Sequence, residues 1–200
     1  MPELSGVDIA DPPQLWGQLG FDVIGGSTWV GKVCHRLGLS GRGVVAWTLR
    51  NADGFDELPT RHLEQLPAPS APAHPNGVLS LDHVVVETPD LKRTISAFES
   101  AGITLRRTRQ AGTSEHPMTQ AFFKLDDVVV EVVGAPTAAA PGQARFWGLT
   151  FTVADLDTTA ELLGPSLRPI KAAVQPGRRI ATLDKAFGST VPMAFMSVRE

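Results

Sequence analysis

The 200-residue chain is 42% hydrophobic and 20% charged with a formal net charge of −3, which fits a soluble globular protein and excludes the basic face of a nucleic-acid binder. No apolar run reaches the roughly 18 residues of a membrane span, and Met1 to Gly6 lacks the basic start and apolar run of a signal peptide, so a cytoplasmic location is expected. Cys34 is the only cysteine, which excludes an intrachain disulfide and a Cys-rich zinc site.

Val7 to Ala10 reads as a short strand. Asp11-Pro-Pro13 opens a helix, since Asp caps and Pro is tolerated in the first turn; Leu15, Trp16 and Leu19 give it an apolar stripe, and Gly20 ends it. Phe21 to Ile24, one or two segments within Thr28 to Leu39, and Gly43 to Leu49 are strand candidates, so the first 50 residues read as β-α-β-β-β with a strand added. Asn51 to Leu66 is polar, with room for a short helix. The proline-rich run from Pro67 to Pro75 is stiff and extended and marks a boundary.

Leu79 to Val86 is a strand, followed by a helix from Pro89-Asp90 with Leu91, Ile95 and Phe98 as its apolar positions and Gly102 as its end. Ile103 to Thr108, Met118 to Leu125 and Val128 to Val133 complete β-α-β-β-β, with Ala111 to Pro117 as a loop and Asp126-Asp127 as a tight turn. Gly134 to Gln143 is a second linker. A third β-α-β-β-β follows: Phe146 to Val153, a helix from Asp155 carrying Leu156, Leu162 and Leu163, then strands within Arg168 to Ala172, Arg178 to Leu183 and Val191 to Ser197. The repeat is visible in residues too, because Val84 to Leu91 overlays Leu149 to Leu156 at an offset of 65. The expected organisation is a degenerate N-terminal module (1–66), a linker (67–78), a first βαβββ module (79–134), a linker (135–145) and a second module (146–200).

Leu81-Asp-His-Val-Val-Val-Glu-Thr-Pro-Asp-Leu91, the hairpin Phe122 to Glu131, and Trp147 to Leu156 resemble the vicinal oxygen chelate superfamily, which includes glyoxalase, extradiol dioxygenases, epimerases and bleomycin-resistance-type binders. The resemblance covers about residues 79–198. It implies an α+β fold of tandem βαβββ modules, whose sheets curve into a half-barrel around a small-molecule cavity. It also implies a divalent metal (Zn, Mg, Mn or Ni) held by one side chain from the first strand and one Glu from the last strand of each module. His83 and Glu131 match those positions in the first module, whereas Gly148 and the neighbourhood of Ala194 match them in the second and offer no side-chain ligand.

Strand alternation places Leu81, His83, Val85 and Glu87 on one face, and Val129, Glu131 and Val133 together. Gln120, Phe122 and Trp147 are candidate cavity contacts, and His116 in the Gly112 to Pro117 loop is a candidate acid or base above the pocket. Arg106 to Arg109 and Arg178-Arg179 are weaker candidates for holding a substrate anion. His35, His62 and His74 have no evident partner. Gly26 to Lys32 fits the start of a phosphate-binding loop but is followed by Val33 in place of the required hydroxyl, and it reads as a hairpin. Cys34 reads as buried and inert. Two functions remain open: a lyase or isomerase assisted by an incompletely liganded divalent metal, or a metal-free protein that binds or sequesters an apolar small molecule. A homodimer fits either.

Overall fold

The computed structural model describes residues 2–61, 73–137 and 140–199. Among the described residues, 13 strands form two sheets. The C-terminal sheet has eight strands. β6 (Val78–Glu87), α2 (Leu91–Ser100), β7 (Arg107–Gly112), β8 (Pro117–Leu125) and β9 (Val128–Gly134) form one βαβββ unit; β10 (Arg145–Val153), α3 (Leu156–Leu163), β11 (Lys171–Ala172), β12 (Arg179–Thr182) and β13 (Met193–Ser197) form the next. The strand order β11-β12-β13-β10-β6-β9-β8-β7 is symmetric about the antiparallel β6–β10 pair, with β6–β9 and β10–β13 both parallel. Both helices begin where the sequence places a capping aspartate: Asp90 accepts from the Arg93 N–H, and Asp155 from the N–H groups of Asp157 and Thr158. Leu91 and Phe98 of α2 and Leu156 and Leu163 of α3 are buried, whereas Leu162 is exposed.

The first edge strand lies further along than expected, at β7. Ile103 is buried in the core, and the 113–116 turn is shorter than the expected loop. Two β-bulges near its middle, and a third at Leu79, interrupt the central β6–β10 pairing. Phe151 pairs with Leu81 and Thr150 with His83, so Asp82 is an extra residue; Phe146 pairs with Val86 and Gly148 with Val85, so Trp147 is another. Asp82 and Trp147 are 65 positions apart, so the bulges occupy equivalent places in the two units. The first bulge turns Leu81 into the core, away from the face of His83, which corrects the expected alternation.

The N-terminal sheet comprises β1 (Glu3–Ile9), β2 (Ser27–Val30), β3 (Val33–Arg36), β4 (Val44–Arg50) and β5 (Thr60–Arg61), with α1 (Pro13–Gln18) after β1. Its order, β2-β3-β1-β4-β5, is an abbreviated version of the larger sheet: β1 and β4 are the antiparallel central pair, flanked by β3 parallel to β1 and β5 parallel to β4. Phe21 to Ile24 is not a strand, because Phe21 is spent on the core, 4.7 Å from Trp16 and 5.2 Å from Phe151 between ring centroids. No helix forms within 51–61, and residues 62–72, including His62 and most of the proline-rich run, lie outside the described residues.

The two sheets meet through aromatic side chains. Trp16 contacts Phe151, and Trp47 contacts Phe98 and Phe146, so the N-terminal sheet covers the face of the larger sheet opposite to His83. Trp16, Trp47, Phe98, Phe123, Phe151 and Phe195 are fully buried there, each removing a large apolar area from water. His74 and His35 belong to this seam: His74 accepts from the Asp22 N–H through Nδ1 and meets the Trp29 carbonyl oxygen through Nε2, while burial pushes the His35 ring down to about 3. Lys32, the lysine of the rejected phosphate motif, bridges to Asp126 and Asp127 at 3.2 Å each. Burial likewise raises the Cys34 thiol. Among the described residues no helix is long and apolar enough to cross a membrane.

Candidate functional site

The concave face of the eight-stranded sheet encloses a cavity of about 440 Å³. Val85, Val133, Leu149, Ile180 and Met193 supply apolar wall, and His83, Glu87, Gln120, Glu131, Thr150 and Thr182 supply polar groups. Its size and mixed lining are those of a small-molecule site. Trp147 stands at its mouth, 51% exposed.

The polar groups form a chain across both units. His83 pairs across the strands with Val129, and Glu131 with Val85, so the two are diagonal neighbours on one face. His83 Nε2 lies 3.6 Å from Glu131 Oε2. On its other side, His83 Nδ1 lies 2.8 Å from Asp82 Oδ2. This contact between sequence neighbours exists because Asp82 is the bulged residue; regular alternation would send the two side chains to opposite faces. Asp82 also accepts from Arg178 Nη1 at 2.6 Å and from Thr152 Oγ1 at 3.0 Å. Burial opposes ionisation of Asp82, but the hydrogen bonds from His83 and Arg178 outweigh it and hold its carboxyl at about 2. Asp82 thus accepts from a protonated Nδ1, and Nε2 is the ring nitrogen turned to the cavity. Beyond Glu131 the chain continues: Gln120 Nε2 donates to Glu131 Oε1, and Arg109 Nε donates to Gln120 Oε1 at 2.6 Å.

His83, Glu131, Gln120 and Trp147 therefore meet at one cavity. Phe122 is buried beside it, under the Arg107 guanidinium at 4.5 Å from the ring centroid, and does not line it. His116 is exposed in the β7–β8 turn, where its backbone N–H donates to Thr113 Oγ1, and it is outside the cavity lining. Of the candidate anion holders, Arg178 is committed to Asp82, Arg179 to Asp157 and Arg109 to Gln120. Asp82 is not legible in the sequence as a site residue, nor is its pairing with Arg178. Nothing in the sequence marks the bulge, and Arg178 is 96 positions from its partner.

The resemblance implies a four-ligand chelate. The offset of 65 carries the His83–Thr150 pair onto Gly148–Val85 and Val85 onto Thr150; the parallel partners of Val85 and Thr150 are Glu131 and Ala194, 63 positions apart, so strand register makes Gly148 and Ala194 the equivalents of His83 and Glu131. Gly148 is sterically closed to a side chain: a Cβ there would lie 2.6 Å from the Pro192 carbonyl oxygen. Among the described residues no group of three or more His, Cys, Asp or Glu side chains is placed to hold a metal ion. The four-donor chelate does not fit this chain; His83 Nε2 and Glu131 Oε2 are the two donors it retains.

The architecture is a glyoxalase-like fold of βαβββ units. The chain is similar to a mutant of 4-hydroxymandelate synthase from Streptomyces coelicolor, with a TM-score of 0.64 and 12% identity over 98% of this chain and 93% of that one. It is also similar to methylmalonyl-CoA epimerase from Mycobacterium tuberculosis (TM-score 0.47, 15% identity, 60% of this chain and 89% of that one) and to a hypothetical protein from Bacillus halodurans (TM-score 0.47, 14% identity, 60% and 95%). No protein-family model matches the chain, and no curated protein matches it.

Proposed function

We propose that the chain binds a compact, largely apolar small molecule in the half-barrel and exposes it to the His83–Glu131 pair, which moves a proton on it in the manner of a lyase or isomerase. The observation that carries this reading is the 3.6 Å approach of His83 Nε2 to Glu131 Oε2 inside a cavity, with Asp82 fixed on the far ring nitrogen. In such an arrangement Nε2 takes a proton from the bound molecule. The Asp82 carboxylate stabilises the imidazolium that forms, and Glu131 is within reach of the same region to accept or return a proton. The apolar wall holds the carbon skeleton.

The test is a set of small hydroxyketones and hydroxyaldehydes added to the protein in D₂O, following binding by the Trp147 indole resonance and C–H exchange by proton NMR. Wild type is expected to exchange a C–H next to the carbonyl, and His83→Ala to lower that rate by about 100-fold or more. Binding without exchange would leave a binder or sequestering protein. Absence of both, up to millimolar probe, would sink the reading.

A second reading has its own support in the same distance. His83 and Glu131 are close enough to share one divalent ion, with Asp82 as the carboxylate that orients a metal-bound histidine. Two protein donors and water would hold it weakly. Calorimetric titration with Zn²⁺, Mg²⁺, Mn²⁺ and Ni²⁺ decides this: binding abolished by His83→Ala supports it, and no uptake at millimolar ion dismisses it.

A further inference from the structure

A second cavity, of about 490 Å³, adjoins the first. The two share Thr182, Pro192 and Met193 as a common wall and Trp147 at their junction. The charged lining of the second is mostly cationic. Arg42 comes from the β3–β4 loop of the N-terminal sheet, and Arg168 and Lys185 come from the loops on either side of β11 and β12; among the described residues the single carboxylate opposed to them is Asp184. Asp184 is engaged by Arg168 at 3.3 Å. The Arg42 and Lys185 side chains have no ion-pair or hydrogen-bond partner among the described residues. Arg42 is nevertheless held in place, because the next residue, Gly43, donates its N–H to Thr190 Oγ1 at 2.9 Å, and Thr190 is itself bound to the buried Asp11.

We propose that this cavity is an anion subsite of the central cavity. The ligand extends from the His83–Glu131 pair past Trp147 and ends in a phosphate or carboxylate that Arg42 and Lys185 hold. The inference rests on the reading of the central cavity as a ligand site. The guanidinium fork and the ammonium suit oxyanions, and two cations without partners at one cavity leave a positive field that an anion would neutralise. The substrate class is then a short carbonyl or hydroxyl compound with an anionic tail. The N-terminal sheet contributes a specificity-determining residue as well as covering the back of the larger sheet.

The experiment compares benzyl alcohol, phenylacetate and phenyl phosphate as probes of the full chain, read by the Trp147 indole resonance, in wild type, Arg42→Ala/Lys185→Ala and His83→Ala. Both substituted cations are exposed, so the double variant keeps its fold. At least one charged probe is expected to bind about tenfold or more tightly than benzyl alcohol, and the double variant is expected to remove that gain while leaving benzyl alcohol unchanged. The anion with the larger gain identifies the tail. Equal affinity for all three probes, no binding of either anion at roughly 10 mM, or a gain that survives the double variant would overturn the subsite. An anion gain that depends on Arg42 and Lys185, together with benzyl alcohol binding indifferent to His83→Ala, would uphold the subsite and count against the role given to His83.

Discussion

At the scale of single residues, the site depends on one carboxylate that regular strand geometry would have sent elsewhere. Asp82 joins His83 to Arg178, whose side chain is only 11% exposed. Its carboxyl sits at about 2 against the usual 3.8, so the native state binds fewer protons than the unfolded chain in that interval. The associated stability is fully present above pH 3.8 and is lost as pH falls through 2. Its size is on the order of 1–2 kcal/mol. Asp82→Asn should flatten that acid limb and, by leaving the Arg178 guanidinium buried without a carboxylate, destabilise the protein at neutral pH by roughly 3 kcal/mol. Urea midpoints measured from pH 7 to pH 2 in both proteins check this; an unchanged acid slope in the variant would mean that Asp82 is not the responsible group. His83 and Glu131 stand out in the sequence because a polar residue in a valine-rich strand needs an explanation. Asp82 does not, because its role comes from a bulge that no residue type announces.

At the scale of strands, the repeat read from the sequence carries into the register. An offset of 65 relates the first strands of the two units and the bulges at Asp82 and Trp147, and an offset of 63 relates their parallel partners, so the residue pattern leads from His83 and Glu131 to Gly148 and the neighbourhood of Ala194, and the register fixes Ala194 itself. What the sequence does not convey is why the second unit lacks ligands. Gly148 is needed because the β13 approach brings the Pro192 carbonyl within 2.6 Å of where a Cβ would stand, so a histidine cannot be restored there. Ala194 has no such obstacle and lines the cavity. Ala194→Glu should therefore place a second carboxylate opposite Glu131 and tighten Mn²⁺ or Ni²⁺ binding by at least about tenfold. Calorimetry on the two proteins provides the comparison, and equal affinities would show that the positions do not converge. The Phe21 to Ile24 segment departs from its expected strand for a related reason: alternation and β-branching describe a strand, but a buried aromatic contact with Phe151 competes for the same residues and wins.

At the scale of the whole molecule, the N-terminal sheet reads in sequence as a degenerate third module, and its shortened strand order bears the same symmetry as the larger sheet. Its contribution to the site is not legible along the chain, because it runs through contacts 178 and 179 residues apart. Asp11, 1% exposed, accepts from the Thr190 N–H at 2.8 Å, from Thr190 Oγ1 at 2.5 Å and from Ser189 Oγ at 2.6 Å. The segment it holds continues into Pro192, whose carbonyl oxygen accepts from the Leu149 N–H at 3.0 Å and whose side chain lines the cavity. A carboxylate from the β1–α1 connection thus sets a wall of the pocket in the larger sheet. Asp11→Ala leaves the Thr190 N–H and the two hydroxyls without that acceptor, at a cost of roughly 3 kcal/mol. A merely structural carboxylate would lower stability throughout. A clamp acting on the wall would in addition make the amides of Thr190 and Val191 exchange faster than those of β6 under conditions where the variant remains folded, and would weaken probe binding at Trp147. Hydrogen exchange read residue by residue separates the two: selective loss of protection at Thr190 and Val191 supports the clamp, and a uniform loss over both sheets reduces Asp11 to general stability.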